Sequence, residues 1–317
     1  MVLGWSQMHG NESTTTKALF DFFKFLTQKE YFQEEIATFL SSHTFYIIPI
    51  LNPDGAQLYT RENANGIDLN RDALDLSQSE SRVLRELFTS VQPNLCLNLH
   101  DQRTMYSLPN GKSATVSFLS PAADVQMDIT EARKVAMSEI VRMYTTLSRY
   151  IPEQIGRYDD NFNENCVGDT FQKLGVPTIL FEAGHYANDY QREKTREYIF
   201  YALLSLFRII KEEPVATHAN YFSIPQNEKL FKDVIIRNVV IEGAITSLAI
   251  CYEEVLDGDS IKFVPVLEKI GGLESFFGHK EIDAGESQIL LNSHENLFVG
   301  EKIVNIVDKS SGICLFS

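Results

Sequence analysis

Over roughly its first 210 residues the chain alternates short apolar runs with longer amphipathic segments, and this alternation restricts the fold more than any other feature. Val2 to Gln7, Phe45 to Ile50, Leu95 to Leu99 and Thr178 to Phe181 have the length and aliphatic content of buried strands. Thr14 to Leu26, Ser77 to Thr89, Ile129 to Ser148 and Gln191 to Ile210 carry apolar residues at helical spacing. Ser77 followed by Glu80 has the form of a capping box opening the second of these helices. Strands alternating with helices predict an α/β fold with a mixed, largely parallel central sheet flanked by helices.

Around Glu212-Glu213-Pro214 the pattern changes, and from about Asn220 short β-rich runs take over. Val234 to Ile236, Ser247 to Tyr252, Ile261 to Val266 and Lys302 to Val307 are such runs, with Asp257-Gly258-Asp259 as a hairpin turn. The expected organisation is one domain over residues 1–214 and a small all-β domain over 215–317.

Composition narrows the function. A formal charge of −15 argues against nucleic acid, whose phosphates need a basic face. No stretch approaches the ~18 apolar residues of a membrane span. Cys96, Cys166, Cys251 and Cys314 are widely spaced, disulfides are unnecessary at this size, and Cys96 within Leu95-Cys96-Leu97 reads as a buried thiol. With no basic-then-apolar leader visible, a cytoplasmic location is the default.

Polar residues cluster at the strand ends. His9 and Glu12 follow the first run, Asn52-Pro53-Asp54-Gly55 follows the second, His100 ends the third and Glu182 ends the fourth. In open α/β sheets, ligands collect beyond the carboxyl ends of strands. Hydrolytic zinc is usually held by three protein ligands, leaving one position for water. His9 and Glu12, three residues apart, can share a face, and His100 is the candidate third ligand. Asp101 beside it is the expected outer partner. A single His-x-x-Glu arises often by chance, so the ordered combination carries the argument. The remaining histidines read as solvated or structural, His185 least plainly because it lies three residues after Glu182.

The set His9-Gly10-Asn11-Glu12, Asn52-Pro53-Asp54-Gly55, Arg61, Asp68-Leu69-Asn70-Arg71, His100 and Phe181-Glu182-Ala183-Gly184 resembles the zinc metallocarboxypeptidase family, also called funnelins. It also resembles the related deacylases of the succinylglutamate desuccinylase and aspartoacylase type, over roughly residues 2–210. The resemblance implies a carboxypeptidase-like domain with one Zn2+ ion on His9, Glu12 and His100. By the same resemblance Glu182 is the general base and acid, and Arg61 stabilises the oxyanion. Asn70 and Arg71 hold the substrate's terminal carboxylate, which a guanidinium can grip in bidentate fashion. The family's mobile tyrosine corresponds to Tyr158, 24 positions before Glu182, with Phe162 nearby and a plain loop role as its rivals.

The substrate implied is a peptide losing its C-terminal residue. The alternative is an N-acyl amino acid, since His-Gly-Asn-Glu and a trailing β domain look like the deacylase branch. A third reading is an inactive relative acting as a binding module, against which the presence of His9, Glu12, His100 and Glu182 stands. No residue for side-chain selectivity is evident, and the oligomeric state stays open. The family pattern places a strand or two and a helix before the first metal motif. Only eight residues precede His9, which leaves three readings open, a shortened form of the fold, a mis-assigned start or a truncated piece, and an absent first segment would take any leader with it.

Overall fold

The computed structural model describes residues 1–211 and 217–317. The chain divides into two compact units. The first holds Met1–Arg103 and Leu108–Glu228, the second Thr104–Ser107 and Lys229–Ser317. The change of pattern expected at Glu212-Glu213-Pro214, and with it the 214/215 boundary, lies outside the described residues.

The first unit is a three-layer α/β structure. Its strands are β1 (Val2–Ser6), β2 (Phe45–Ile48), β3 (Leu95–Asp101), β4 (Val116–Leu119), β5 (Ile155–Arg157) and β6 (Thr178–Ala183), in the order β2-β1-β3-β6-β4-β5. β2, β1, β3 and β6 run parallel, whereas β4 is antiparallel to β6 and carries β5 parallel to itself. The expected mixed, largely parallel sheet is therefore present. β1, β3 and β6 are almost wholly buried because helices cover both faces, as parallel strands require.

Against one face pack α1 (Thr14–Thr27), α5 (Glu131–Leu147) and α7 (Glu193–Leu206), through Leu19, Phe22, Met137, Ile140, Ile199 and Leu203. Against the other lie α4 (Ser79–Val91) and α6 (Val167–Lys173), whose Leu84, Phe88, Val167 and Phe171 enclose Leu3, Trp5 and Cys96. The buried Cys96 thiol matches the sequence reading, and burial pushes its pKa upward. Two further helices, α2 (Gln33–Ser42) and α3 (Pro53–Leu58), are short and lack a long apolar stripe, which is why periodicity did not predict them.

The helix expected from Ser77 begins instead at Ser79. Asp72 competes for the cap: its carboxylate accepts the Ser77 N–H (2.9 Å), the Ser77 hydroxyl (2.8 Å) and the Gln78 N–H (2.9 Å). Ser77 is thus spent on Asp72 and does not cap the helix, and the Glu80 carboxylate instead accepts from the Ser79 hydroxyl at 2.9 Å.

The second unit is a six-stranded sheet of β7 (Phe231–Ile241), β8 (Ala244–Asp257), β9 (Ser260–Ile270), β10 (Phe277–Leu291), β11 (Ile306–Asp308) and β12 (Cys314–Phe316), ordered β12-β11-β10-β7-β8-β9. Asp257 pairs with Ser260 across a two-residue turn with Gly258 at φ +60°, the position where a type II′ hairpin wants glycine. The strand expected over Lys302 to Val307 is shorter, beginning only at Ile306. Among the described residues, no helix is long and apolar enough to cross a membrane.

Candidate metal centre

β1 ends at Ser6 and the chain turns immediately. Gln7 takes a left-handed backbone conformation (φ 45°) and its Nε2 donates to the Gly10 carbonyl at 2.8 Å. The Glu12 N–H closes the turn onto the His9 carbonyl at 3.1 Å. This turn lies directly on the start of α3. A Cβ on Gly10 would fall 1.9 Å from the Gly55 carbonyl carbon, so only glycine permits the approach.

Asn52 fixes the same junction. Its Oδ1 accepts from the Gly55 N–H at 2.9 Å, capping α3, while its Nδ2 donates to the carbonyls of Met8 (3.2 Å) and Arg61 (3.4 Å). The Asn-Pro-Asp-Gly motif therefore bolts the His9 turn to the segment bearing Arg61.

His100 reaches the same point from β3. His9 and His100 are 3% and 2% exposed, and Glu12 is 6% exposed. His9 Nδ1 lies 2.8 Å from Glu12 Oε1, His100 Nδ1 lies 2.8 Å from Glu12 Oε2, and the two Nδ1 atoms are 3.1 Å apart. One ligand atom from each residue lies within 4.8 Å of the other two. Two ring nitrogens facing each other beside a carboxylate at this depth are poorly served by a shared proton. Two imidazoles and a carboxylate are the donor set a divalent cation takes, so the residues fit a zinc ion. The two imidazoles differ: burial holds the His100 pKa down against the pull of Glu12, whereas at His9 burial is outweighed by Glu12 and Asp68, which raise it. Burial opposes charge on Glu12 too, but His100 and His9 outweigh it and keep the carboxyl well below the usual range. Metal ligation needs neutral imidazole and ionised carboxylate.

The outer contacts differ from expectation in one respect. Asp101 does not hold His100, because strand alternation turns neighbouring side chains to opposite faces. Its carboxylate instead accepts the Thr14 (2.8 Å) and Thr15 (3.3 Å) N–H groups at the start of α1, and its own N–H donates to Glu12 Oε2 at 3.2 Å. The carboxylate that orients a ligand is Asp68, 3.0 Å from His9 Nε2, and sequence reasoning assigned it no role. Its position at the head of Asp68-Leu69-Asn70-Arg71 was the available signal.

Glu182 is the register partner of His100 across β3 and β6, which puts both side chains on one face. It is buried, and burial raises its pKa well above the carboxylate norm, reinforced by the charges of Glu12 and Asp101 and opposed by Arg61. Arg61 donates through Nε (3.2 Å) and Nη2 (3.0 Å) to Asp68 Oδ2 and lies 3.5 Å from Glu12 Oε1. It is thus brought to the metal ligands, with its side chain still half exposed.

Asn70 and Arg71 sit in a short 3-10 turn (Leu69–Arg71) that Asp68 caps by accepting the Asn70 N–H at 2.9 Å. Asn70 Oδ1 accepts from the Val167 N–H at 3.2 Å, and Arg71 Nη1 donates to Cys166 Sγ at 2.9 Å. Tyr158 follows β5 at the far edge of the sheet, its N–H donating to the Phe118 carbonyl at 2.9 Å; this backbone contact does not itself join Tyr158 to the ligand group.

A three-layer sheet with a His-x-x-Glu turn at one strand end and a histidine at the next defines a carboxypeptidase-like α/β protein. A metallo-carboxypeptidase from Burkholderia cenocepacia shares that fold with a TM-score of 0.50 and 18% identity, over 66% of this chain and 56% of that one. The zinc carboxypeptidase family profile matches residues 2–168, and the chain belongs to this family of metallopeptidases. Among its relatives, carboxypeptidase 2 of Trichophyton rubrum is 29% identical over 99 residues, 31% of this chain and 18% of that protein. Carboxypeptidase M of Mus musculus is 28% identical over 142 residues, 39% of this chain and 32% of that protein. The chain thus spans less than a third of the length of these curated relatives.

Proposed function

We propose that this chain is a zinc-dependent metallocarboxypeptidase that hydrolyses the last amide bond of a peptide, next to a free carboxylate. The observation carrying the reading is the convergence of His9, Glu12 and His100 with Glu182 in register beside His100. A zinc ion held by the three ligands would supply Lewis acidity, making water nucleophilic near neutral pH and polarising a carbonyl.

The chain's own residues do the rest. Glu182 takes a proton from the attacking water and delivers it to the departing amine; burial, which favours its protonated form, suits it to hold that proton in between. Arg61 presents positive charge at the rim, where the carbonyl oxygen becomes an oxyanion. Asn70 and Arg71 grip the terminal carboxylate, and Tyr158 covers the bound substrate. The half-exposed guanidinium of Arg61 and the fixed 3-10 turn below Arg71 support these roles.

A deacylase acting on N-acyl amino acids would use the same groups, and the trailing β-rich unit favours that second reading. Zinc-dependent turnover should be measured on short peptides, on the same peptides with an amidated C-terminus, and on N-acyl amino acids. Cleavage of the free-acid peptides alone is expected. Turnover confined to N-acyl amino acids, or indifferent to amidation, overturns the carboxypeptidase assignment.

A further inference from the structure

We propose that Cys166 positions Arg71: its thiol pins one end of the guanidinium and presents the other edge to the substrate's terminal carboxylate. The proposal rests on the carboxypeptidase reading, which gives Arg71 that task. Arg71 is exposed, and an exposed arginine samples many rotamers unless something holds it. Its Nη1 is held twice, donating to the Asn70 carbonyl at 2.9 Å and to Cys166 Sγ at 2.9 Å. Both Nη1 hydrogens are then engaged. Among the described residues, Nε and Nη2 have no protein partner. Those two groups form the side edge of the guanidinium fork, which can take a carboxylate in bidentate fashion. A substrate meets that fork already ordered, so binding does not bear the ordering cost.

The segment carrying Cys166 is built onto the one carrying Arg71. Asn165 Nδ2 donates to the Arg71 carbonyl at 2.5 Å, and Asn165 Oδ1 accepts from the Leu74 N–H at 3.0 Å. Asn70 Oδ1 in turn accepts from the Val167 N–H at 3.2 Å. The sulfur therefore reaches the guanidinium from a fixed backbone. Asp68 caps the same turn and contacts His9, which ties the pinned arginine to the metal ligands.

Sulfur suits the task because it carries no charge. A carboxylate in its place would neutralise the guanidinium and compete with the substrate for it. Burial pushes the Cys166 thiol up to about 11, with Asp169 acting the same way and Arg71 opposing, so the sulfur stays protonated and neutral at pH 7. The S–H is directed to the Asp169 carboxylate, three residues along at the start of α6, and a sulfur lone pair is left for Arg71.

Three quantities measured on the full zinc-loaded chain test this. They are KM and kcat for the best-cleaved free-acid peptide, and Ki for its C-terminally amidated twin, which brings Arg71 no carboxylate. Cys166→Ala should raise KM about tenfold, with kcat within about twofold and Ki unchanged. Cys166→Ser keeps a donor and an acceptor and should bring KM back to within about threefold of the wild type. Cys166→Val, which fills the space without a hydrogen bond, carries the test alone if the alanine variant does not fold. A KM unmoved by the alanine and valine changes, or a rise matched by the amide's Ki, overturns the proposal and leaves the carboxypeptidase reading standing. If no peptide is cleaved, calorimetric binding of a panel of N-acetyl amino acids decides. A Kd weakened about tenfold by Cys166→Ala keeps the role of Cys166 and removes the carboxypeptidase reading, and no binding by the wild type overturns both.

Discussion

Asp68 Oδ1 lies 3.0 Å from His9 Nε2, on the side of the ring opposite to Glu12 and His100. A proton on Nε2 directed at Asp68 leaves the Nδ1 lone pair turned toward Glu12 and His100. His9 Nδ1 is thereby the ring atom that faces Glu12 Oε1 and His100 Nδ1.

Asp68→Asn removes the charge and leaves the shape. Metal affinity should fall about 10- to 100-fold, read by competition with a chromophoric chelator. The loss should appear in affinity before it appears in stability.

Glu182→Gln should lower kcat by on the order of 10²- to 10⁴-fold while metal content stays unchanged. Elemental analysis beside steady-state kinetics separates the two quantities. An unchanged kcat would take Glu182 out of the proton transfer.

Gly10→Ala forces a methyl group into the Gly55 backbone, which cannot move aside as a flexible side chain would. The change should cost about 3 kcal/mol or more, seen as a lower midpoint in urea, with loss of metal stoichiometry. The equivalent change at Gly175, at φ +84° with nothing within 4 Å of a Cβ, should cost only local strain and leave the metal content intact.

Asp169 in α6 gives a pH dependence of stability. Burial, opposed by the Asn163 N–H, pushes its carboxyl up to about 7. The native state then binds more protons than the unfolded chain between about pH 4 and 7, so stability falls as pH rises through that window, by about 4 kcal/mol at most. Asp169→Asn cannot ionise, and its thermal midpoint should be flatter over the same range. A wild type and variant with parallel profiles would contradict this.

Stripping the metal should lower the thermal midpoint and restoring zinc should raise it again, since only the native chain brings residues 9, 12 and 100 together. Scanning calorimetry with and without chelator checks this.

Much of this was legible in the residues. Apolar runs located β1, β3 and β6, and the polar residues at their ends were the ones that converge, because a parallel sheet aligns such ends automatically. What was not legible depended on contacts distant in sequence. Asp72 draws Ser77 away from the helix start, and Asp101 serves α1 across 87 positions instead of its neighbour His100. Neither choice shows in a local window.

The second unit reclaims Thr104–Ser107 from the middle of the first. His279 Nε2 bonds the Thr104 carbonyl at 2.7 Å, and the Phe231 N–H bonds the Met105 carbonyl at 3.0 Å. No single cut in the gene can therefore free either half with all its own contacts. Severing at Glu228 would strand those four residues just beyond the His100 strand and leave the excised β sheet short of a stitch that the other fragment carries away.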